Sequence, residues 1–140
     1  MAKNKKIEVT FNQSSSEIKA FYDEERIIQV INNLLSNAIK FSSNTDGKIK
    51  ISIVESIANI EVKIHNNGKG IKKEDFDVIF DKFYQSRNQN VKKPVGSGLG
   101  LAICKKIIEH HKGKIWVEEN KVDGATFVFT LPNYNTAENR

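Results

Sequence analysis

The chain has almost no cysteine. Its 140 residues include one, Cys104, so an internal disulfide is excluded. Cys104 stands among Ala102, Ile103 and Ile107 and reads as a small buried or half-buried thiol. No His or Cys pair has the spacing of a zinc site. No apolar run approaches the roughly 18 residues that a membrane span needs. The charged start, Met1-Ala2-Lys3-Asn4-Lys5-Lys6, is followed by no apolar signal core. These absences predict a reducing, cytoplasmic setting, one that also suits a piece of a longer membrane-anchored chain. There is no internal repeat and no low-complexity linker. The G-x-x-x-x-G-K-[ST] loop is missing too, which excludes a P-loop protein.

What is there is a soluble, globular balance: 39% hydrophobic and 28% charged residues. The length fits one domain over residues 1–140. The net charge of +5 reads most cheaply as a solvated basic surface and more sharply as the mark of a partner rich in phosphate. The lysines come as scattered pairs (Lys5-Lys6, Lys72-Lys73, Lys92-Lys93, Lys105-Lys106). No helix face collects them with interleaved aromatics, so a nucleic-acid partner is not expected.

Periodicity predicts the elements. Ile7, Val9 and Phe11 alternate as a strand, and Ile18–Tyr22 reads as a second, short one. Asp23 is an N-cap before Glu24 and Glu25. Ile27, Val30, Ile31, Leu34, Leu35 and Ala38 then recur at helical spacing to about Phe41. Ile49, Ile51, Ile53 and Ile60, Val62, Ile64 mark two strands joined near Ser56-Ile57-Ala58-Asn59. A glycine loop over His65–Ile71 leads to a short helix over Lys73–Phe80. A long polar loop at about 81–98 reads as a lid. A helix over about Gly98–His111 and strands over Lys114–Glu118 and Ala125–Leu131 follow, with a polar, frayed tail from Pro132. The order is not a strict βαβ alternation. The expected class is α+β, a two-layer sandwich whose mixed, mostly antiparallel sheet is covered on one face by about three helices.

Asn33, Asn37 and Lys40 stand at i, i+4 and i+7, with Phe41 four residues after Asn37. They share a helix face opposite part of the aliphatic stripe. Asparagine is a poor helix former, so two on one face suggest a ligand as well as the blander reading of solvated positions. An asparagine oxygen can complete a Mg²⁺ shell, and a lysine can offset phosphate charge. Asn67-Gly68-Lys69-Gly70 after a strand reads by itself as a tight turn. Gly96-Ser97-Gly98-Leu99-Gly100-Leu101 opens a helix, where freed backbone N–H groups can face an anion. Each signal alone is weak.

Their joint order resembles the GHKL ATP-binding family (the Bergerat fold), and within it the catalytic and ATP-binding domain of sensor histidine kinases. Gln29–Phe41 is similar to the family's N box, and His65–Ile71 to its first glycine box. Ile79–Tyr84 is similar to its F box, and Gly96–Ile103 to its second glycine box. The resemblance covers nearly the whole chain. It implies ATP and Mg²⁺ as cofactors, with Asn37 on the metal and Asn33 and Lys40 at the phosphates as catalytic residues. It implies that Phe41 borders the nucleotide and that Asn66, Gly68, Gly70 and Ile71 meet adenine and ribose. Phe80 and Phe83 would anchor the lid, with plain core packing as the competing reading. Tyr84, Arg87, Gly96, Gly98, Leu99, Gly100 and Leu101 would complete the nucleotide site.

Two departures stand out. The family has aspartate where Asn66 stands, and the amide oxygen would accept the adenine amino hydrogen without charge assistance. Affinity is then expected to fall between a few-fold and roughly a hundredfold. Many relatives have arginine where Gln85 stands, and Arg87, Lys92 or Lys93 could replace it. ATP-hydrolysing relatives have a glutamate general base where Asn33 stands, so transfer rather than hydrolysis is implied. The acceptor histidine would lie on a separate helical dimerisation domain, and a response regulator would be the next partner. His65, His110 and His111 lack the acidic residue that follows a phosphoacceptor, so no autophosphorylation is expected of this chain alone, which would be monomeric. The alternatives are a degenerate, nucleotide-independent interaction domain and an anti-sigma-factor-type serine kinase.

Overall fold

A computed structural model describes residues 7–13, 22–42, 46–68, 70–76, 78–81, 100–118 and 124–133. Strand β1 (Ile7–Gln13) leads to helix α1 (Glu24–Phe41), followed by β2 (Gly47–Glu55) and β3 (Asn59–Asn66). Helix α2 (Gly100–His110), β4 (Ile115–Glu118) and β5 (Ala125–Pro132) complete the order. The sheet runs β1-β2-β3-β5-β4. β1 pairs parallel with β2, and every other pairing is antiparallel. The architecture is the expected α+β one, with a mixed sheet.

The local chemistry accounts for these elements. Asp23 caps α1, its carboxylate accepting the N–H of Arg26 at 3.3 Å. Ile27, Val30, Leu34 and Ala38 form the buried stripe of α1. β3 alternates with period 2, burying Ile60, Val62, Ile64 and Asn66. Phe127, Phe129 and Leu131 of β5 enter the same core. β5 is buried on its other face as well. There Lys63 of β3 meets Glu118 of β4 at 2.8 Å, and the register puts Val128 and Thr126 of β5 between them. Long side-chain stems thus cover a central strand from the open side.

Three expectations change. The helix expected over Lys73–Phe80 is a single 3₁₀ turn at Lys73–Asp75 followed by turns, so two α-helices rather than three cover the sheet among the described residues. Three residues close one i→i+3 turn, as in Phe76 N–H donating to the Lys73 carbonyl, and the chain then dips so that Ile79 and Phe80 reach the core. The polar tail expected from Pro132 begins with two ordered residues, and positions 134–140 lie outside the described residues. Pro132 ends β5, and Asn133 is buried, donating from Nδ2 to the Ser56 carbonyl at 2.6 Å. The strand expected at Ile18–Tyr22 lies outside the described residues except for Tyr22, which is irregular. No helix among the described residues is long and apolar enough to cross a membrane.

Candidate functional site

The two helices run antiparallel, held at both ends. Asp23 N–H donates to His111 Nε2 at 3.0 Å, at the start of α1 and just past the end of α2. Farther along, Asn33 Nδ2 donates to the carbonyl of Gly100, the first residue of α2, at 3.4 Å. The positive N-terminal end of α2 therefore sits beside the C-terminal half of α1, where Asn37 and Lys40 lie. Asn33, Asn37 and Lys40 are all half-buried. Burial pushes the Lys40 ammonium below its ordinary range, and an anion alongside would reverse that direction.

The glycine loop meets the same end of α1. Ser42, the C-cap, forms an antiparallel bridge with Gly68. Gly68 holds a φ of 133°, which an L side chain rarely adopts. Asn66, the last residue of β3, turns inward with 1% exposure, and its Nδ2 donates to the Asn67 carbonyl at 3.3 Å. Ile71 and Leu101 are partly buried against the core, and Gly70 is exposed. Phe80 packs edge-to-face on Phe127 at 6.4 Å, so the core reading holds for it.

The structure therefore brings Asn33, Asn37, Lys40, Asn66, Gly68, Gly100 and Leu101 to one end of the sandwich. Phe41 ends α1. Phe83, Tyr84, Arg87, Gly96, Gly98 and Leu99 lie outside the described residues, as does the lid expected at about 81–98, apart from Asp81. A Cβ on Gly100 would make only ordinary contact with Asn33, the nearest atom at 3.7 Å, so closeness to the described residues does not require glycine there.

Gly124 was not among the residues singled out by sequence, yet it closes the site's floor. Its φ is +106°, and a Cβ on it would lie 1.9 Å from the Asn66 carbonyl oxygen. A Cβ on Gly70 would in turn lie 2.9 Å from the Gly124 carbonyl oxygen. Three backbone segments are stacked there without room for a methyl group. The available signal was the Asp123-Gly124 pair just before a strand, a turn mark with no functional content. Asn67 was read as part of a turn, but its side chain stitches the loop to β2. Its Oδ1 accepts from Lys48 N–H at 2.7 Å and its Nδ2 donates to the Asp46 carbonyl at 2.5 Å.

The arrangement offers a helix N-terminus, one lysine, two amide side chains and a glycine-lined floor, a set suited to a ligand with anionic and planar parts. The comparisons with known proteins agree. The family described as "Histidine kinase-, DNA gyrase B-, and HSP90-like ATPase" matches residues 22–135. The sensor histidine kinase WalK of Bacillus subtilis is 35% identical over 135 residues, covering 94% of this chain and 22% of that protein. The adaptive-response sensory kinase SasA of Synechocystis is 38% identical over 131 residues, 93% of this chain and 33% of that one. The chain thus spans about a fifth to a third of these curated relatives. The nucleotide-free catalytic domain of histidine kinase ThkA superposes with a TM-score of 0.79 at 36% identity, covering 91% of this chain and 81% of that one. ThkA is also known in complex with the response regulator TrrA (TM-score 0.79, 34% identity, 99% and 37% covered). With family, relatives and fold in agreement, this chain belongs to the histidine kinase-, DNA gyrase B- and HSP90-like ATPases, as a GHKL catalytic domain of the sensor histidine kinase kind.

Proposed function

We propose that this domain binds Mg²⁺-ATP and presents the γ-phosphoryl group to a histidine on a separate helical dimerisation domain, with a response regulator as the next acceptor. The observation that carries this reading is the meeting of α1, the first glycine loop and the start of α2 at one end of the sheet, through the Ser42–Gly68 bridge and the Asn33–Gly100 hydrogen bond. Adenine would lie against Asn66 and the Gly68–Gly70 loop. The phosphates would lie between Lys40 and the N-terminus of α2, where N–H groups and one cation face them.

The donor set fits a magnesium ion that arrives with its phosphates. Among the described residues no cluster of three His, Cys, Asp or Glu could hold a metal by itself. Asn37 would supply an amide oxygen and leave the remaining positions to phosphate and water oxygens. When bound, the ion offsets phosphate charge. Asn33 offers no carboxylate to activate water, so slow hydrolysis and productive transfer go together. Titrating the 140-residue chain with ADP and with a non-hydrolysable ATP analogue, with and without Mg²⁺, tests the reading. Binding strengthened by Mg²⁺ and weakened by Asn37→Ala is expected. The absence of binding to either nucleotide would favour the degenerate interaction domain, for which Asn66 in place of aspartate is the specific argument.

A further inference from the structure

We infer that the sheet carries a second binding site on the face turned away from α1 and α2, at the end opposite the glycine loops. Its ligand is a small monoanion with a flat apolar ring, an aromatic carboxylate. The inference is independent of the nucleotide-site reading.

A cavity of about 350 Å³ opens there. β3 and β5 send Ile60, Phe129 and Leu131 into the core, so strand alternation puts Asn59, Glu61, Thr130 and Pro132 on the other face. These four line the cavity together with Trp116 of β4 and with Lys112 and Lys114, which lie between α2 and β4. Asn59 starts β3 and Asn66 ends it, so the length of that strand separates the cavity from the glycine loop. The volume is at the small end for ligand cavities and suits a single ring or a fused pair. Trp116 and Pro132 supply flat apolar surface for such a ring.

The charges select the sign and the amount. Lys112 and Lys114 are exposed and have no ion-pair partner among the described residues. Glu61 lies 3.6 Å from Lys63, whose shorter contact, at 2.8 Å, is with Glu118. Two lysines and one glutamate leave the lining with one positive charge in excess. A monoanion matches it, whereas a polyphosphate would bring surplus negative charge against Glu61. Thr130 is 7% exposed, and its Oγ1 accepts from Lys114 N–H at 3.0 Å. Its hydroxyl proton has no acceptor among the described residues, and a carboxylate oxygen would supply one.

The backbone adds an independent sign. Lys112 holds a φ of 64°. Its N–H donates to the Glu109 carbonyl and that of Gly113 to the Ile108 carbonyl, a helix ending that usually places glycine where Lys112 stands. The glycine falls one position later, because a Cβ on Gly113 would lie 1.8 Å from the Thr130 carbonyl oxygen. A lysine thus keeps a strained place at the cavity, where strain retained at a site points to a use.

Trp116 is the chain's one tryptophan, so its emission reports on the cavity. The test is fluorescence titration of the 140-residue chain with phenylacetate and with its uncharged counterpart phenylacetamide. Phenylacetate is expected to give a saturable change and to bind on the order of fivefold more tightly than the amide. Saturating Mg²⁺-ADP should leave its affinity unchanged. Lys112→Gly relieves the left-handed backbone, so it should keep or raise the thermal unfolding midpoint while weakening phenylacetate several-fold. Lys112→Arg keeps the charge and should bind as the unaltered chain does. The absence of a saturable change, or equal affinity for acid and amide, would overturn the inference. So would undiminished binding in Lys112→Gly, or displacement of phenylacetate by ADP, which would move the anion to the other end of the sheet.

Discussion

Asn33 Nδ2 donates to the carbonyl of Gly100 at 3.4 Å, joining the middle of α1 to the first residue of α2. A side chain in the second half of one helix thereby sets where the other helix begins. That matters because the N-terminal turn of α2 carries the free N–H groups on which an anion would rest. Asn33→Ala is expected to lower stability by about 0.5–1 kcal/mol, the low end for a hydrogen bond of this length. Its effect on nucleotide affinity should exceed its effect on stability. Urea denaturation and nucleotide titration of one preparation measure the two.

The glycines divide into those that need to be glycine and those that do not. Gly124→Ala forces a methyl group into the Asn66 carbonyl at a φ of +106°. It is expected to destabilise by roughly 2 kcal/mol or more, as backbone strain adds to a clash that no flexible side chain can relieve. Gly100→Ala meets only ordinary contacts in a helix, where alanine is better by about 0.5–1 kcal/mol. It should leave stability unchanged or slightly raised. Thermal unfolding of the two variants side by side checks the contrast.

His111 serves as a latch. Its Nε2 accepts from Asp23 N–H, and the 2.8 Å contact from Nδ1 to the Ile107 carbonyl places the ring proton on Nδ1. Position 111 lies just past the end of α2, and this hydrogen bond ties that end to the start of α1. His111→Ala is expected to cost about 1 kcal/mol. Hydrogen exchange at the first turn of α1 should quicken more than exchange at the core amides of β3 and β5.

His65 makes stability depend on pH. Burial, aided by the Lys50 charge, pulls its imidazole below the ordinary value of 6.5, and its Nδ1 lies 2.8 Å from the Thr126 hydroxyl. The folded state binds a proton less readily than the unfolded chain, so the contribution is present above about pH 6.5 and is lost as pH falls through the lowered value. Urea denaturation at pH 8 and pH 5 should show this decline, and His65→Gln should flatten it.

Cys104 has no exposed surface, and burial pushes its thiol up to about 11. Thiolate is the reactive form, so a disulfide reagent at pH 7 should leave the folded chain unlabelled and label it at once in denaturant. Rapid labelling of the native chain would contradict the packing of α2 on α1.

Much of this protein was legible residue by residue. The stripe Ile27, Val30, Leu34 and Ala38, the cap at Asp23 and the alternation of β2 and β3 are local patterns, and side chains three, four or two apart announce the face they bury. The four motifs, through their order, also identified the family. The lid expected at about 81–98 rests on composition only. Fewer signals marked the second half of the fold. The stretch Lys73–Phe80 looked helical because its apolar residues, Phe76, Ile79 and Phe80, keep a helix-like spacing while the chain makes a 3₁₀ turn at Lys73–Asp75 and then dips into the core.

The sequence by itself determined the class, the amphipathic helix with Asn33, Asn37 and Lys40 on one face, and the family to which they belong. Tertiary structure alone decided that β5 enters between β3 and β4 and that Gly124 closes behind Asn66. It also decided that the buried Asn66 amide donates to the Asn67 carbonyl, and that His111 holds the start of α1. The physical reason is the range of the forces involved. Periodicity and capping act within a few residues and leave a pattern. A close approach of two backbones, or a hydrogen bond from a side chain to a distant carbonyl, requires only one suitable residue, and a lone glycine or asparagine does not name its partner.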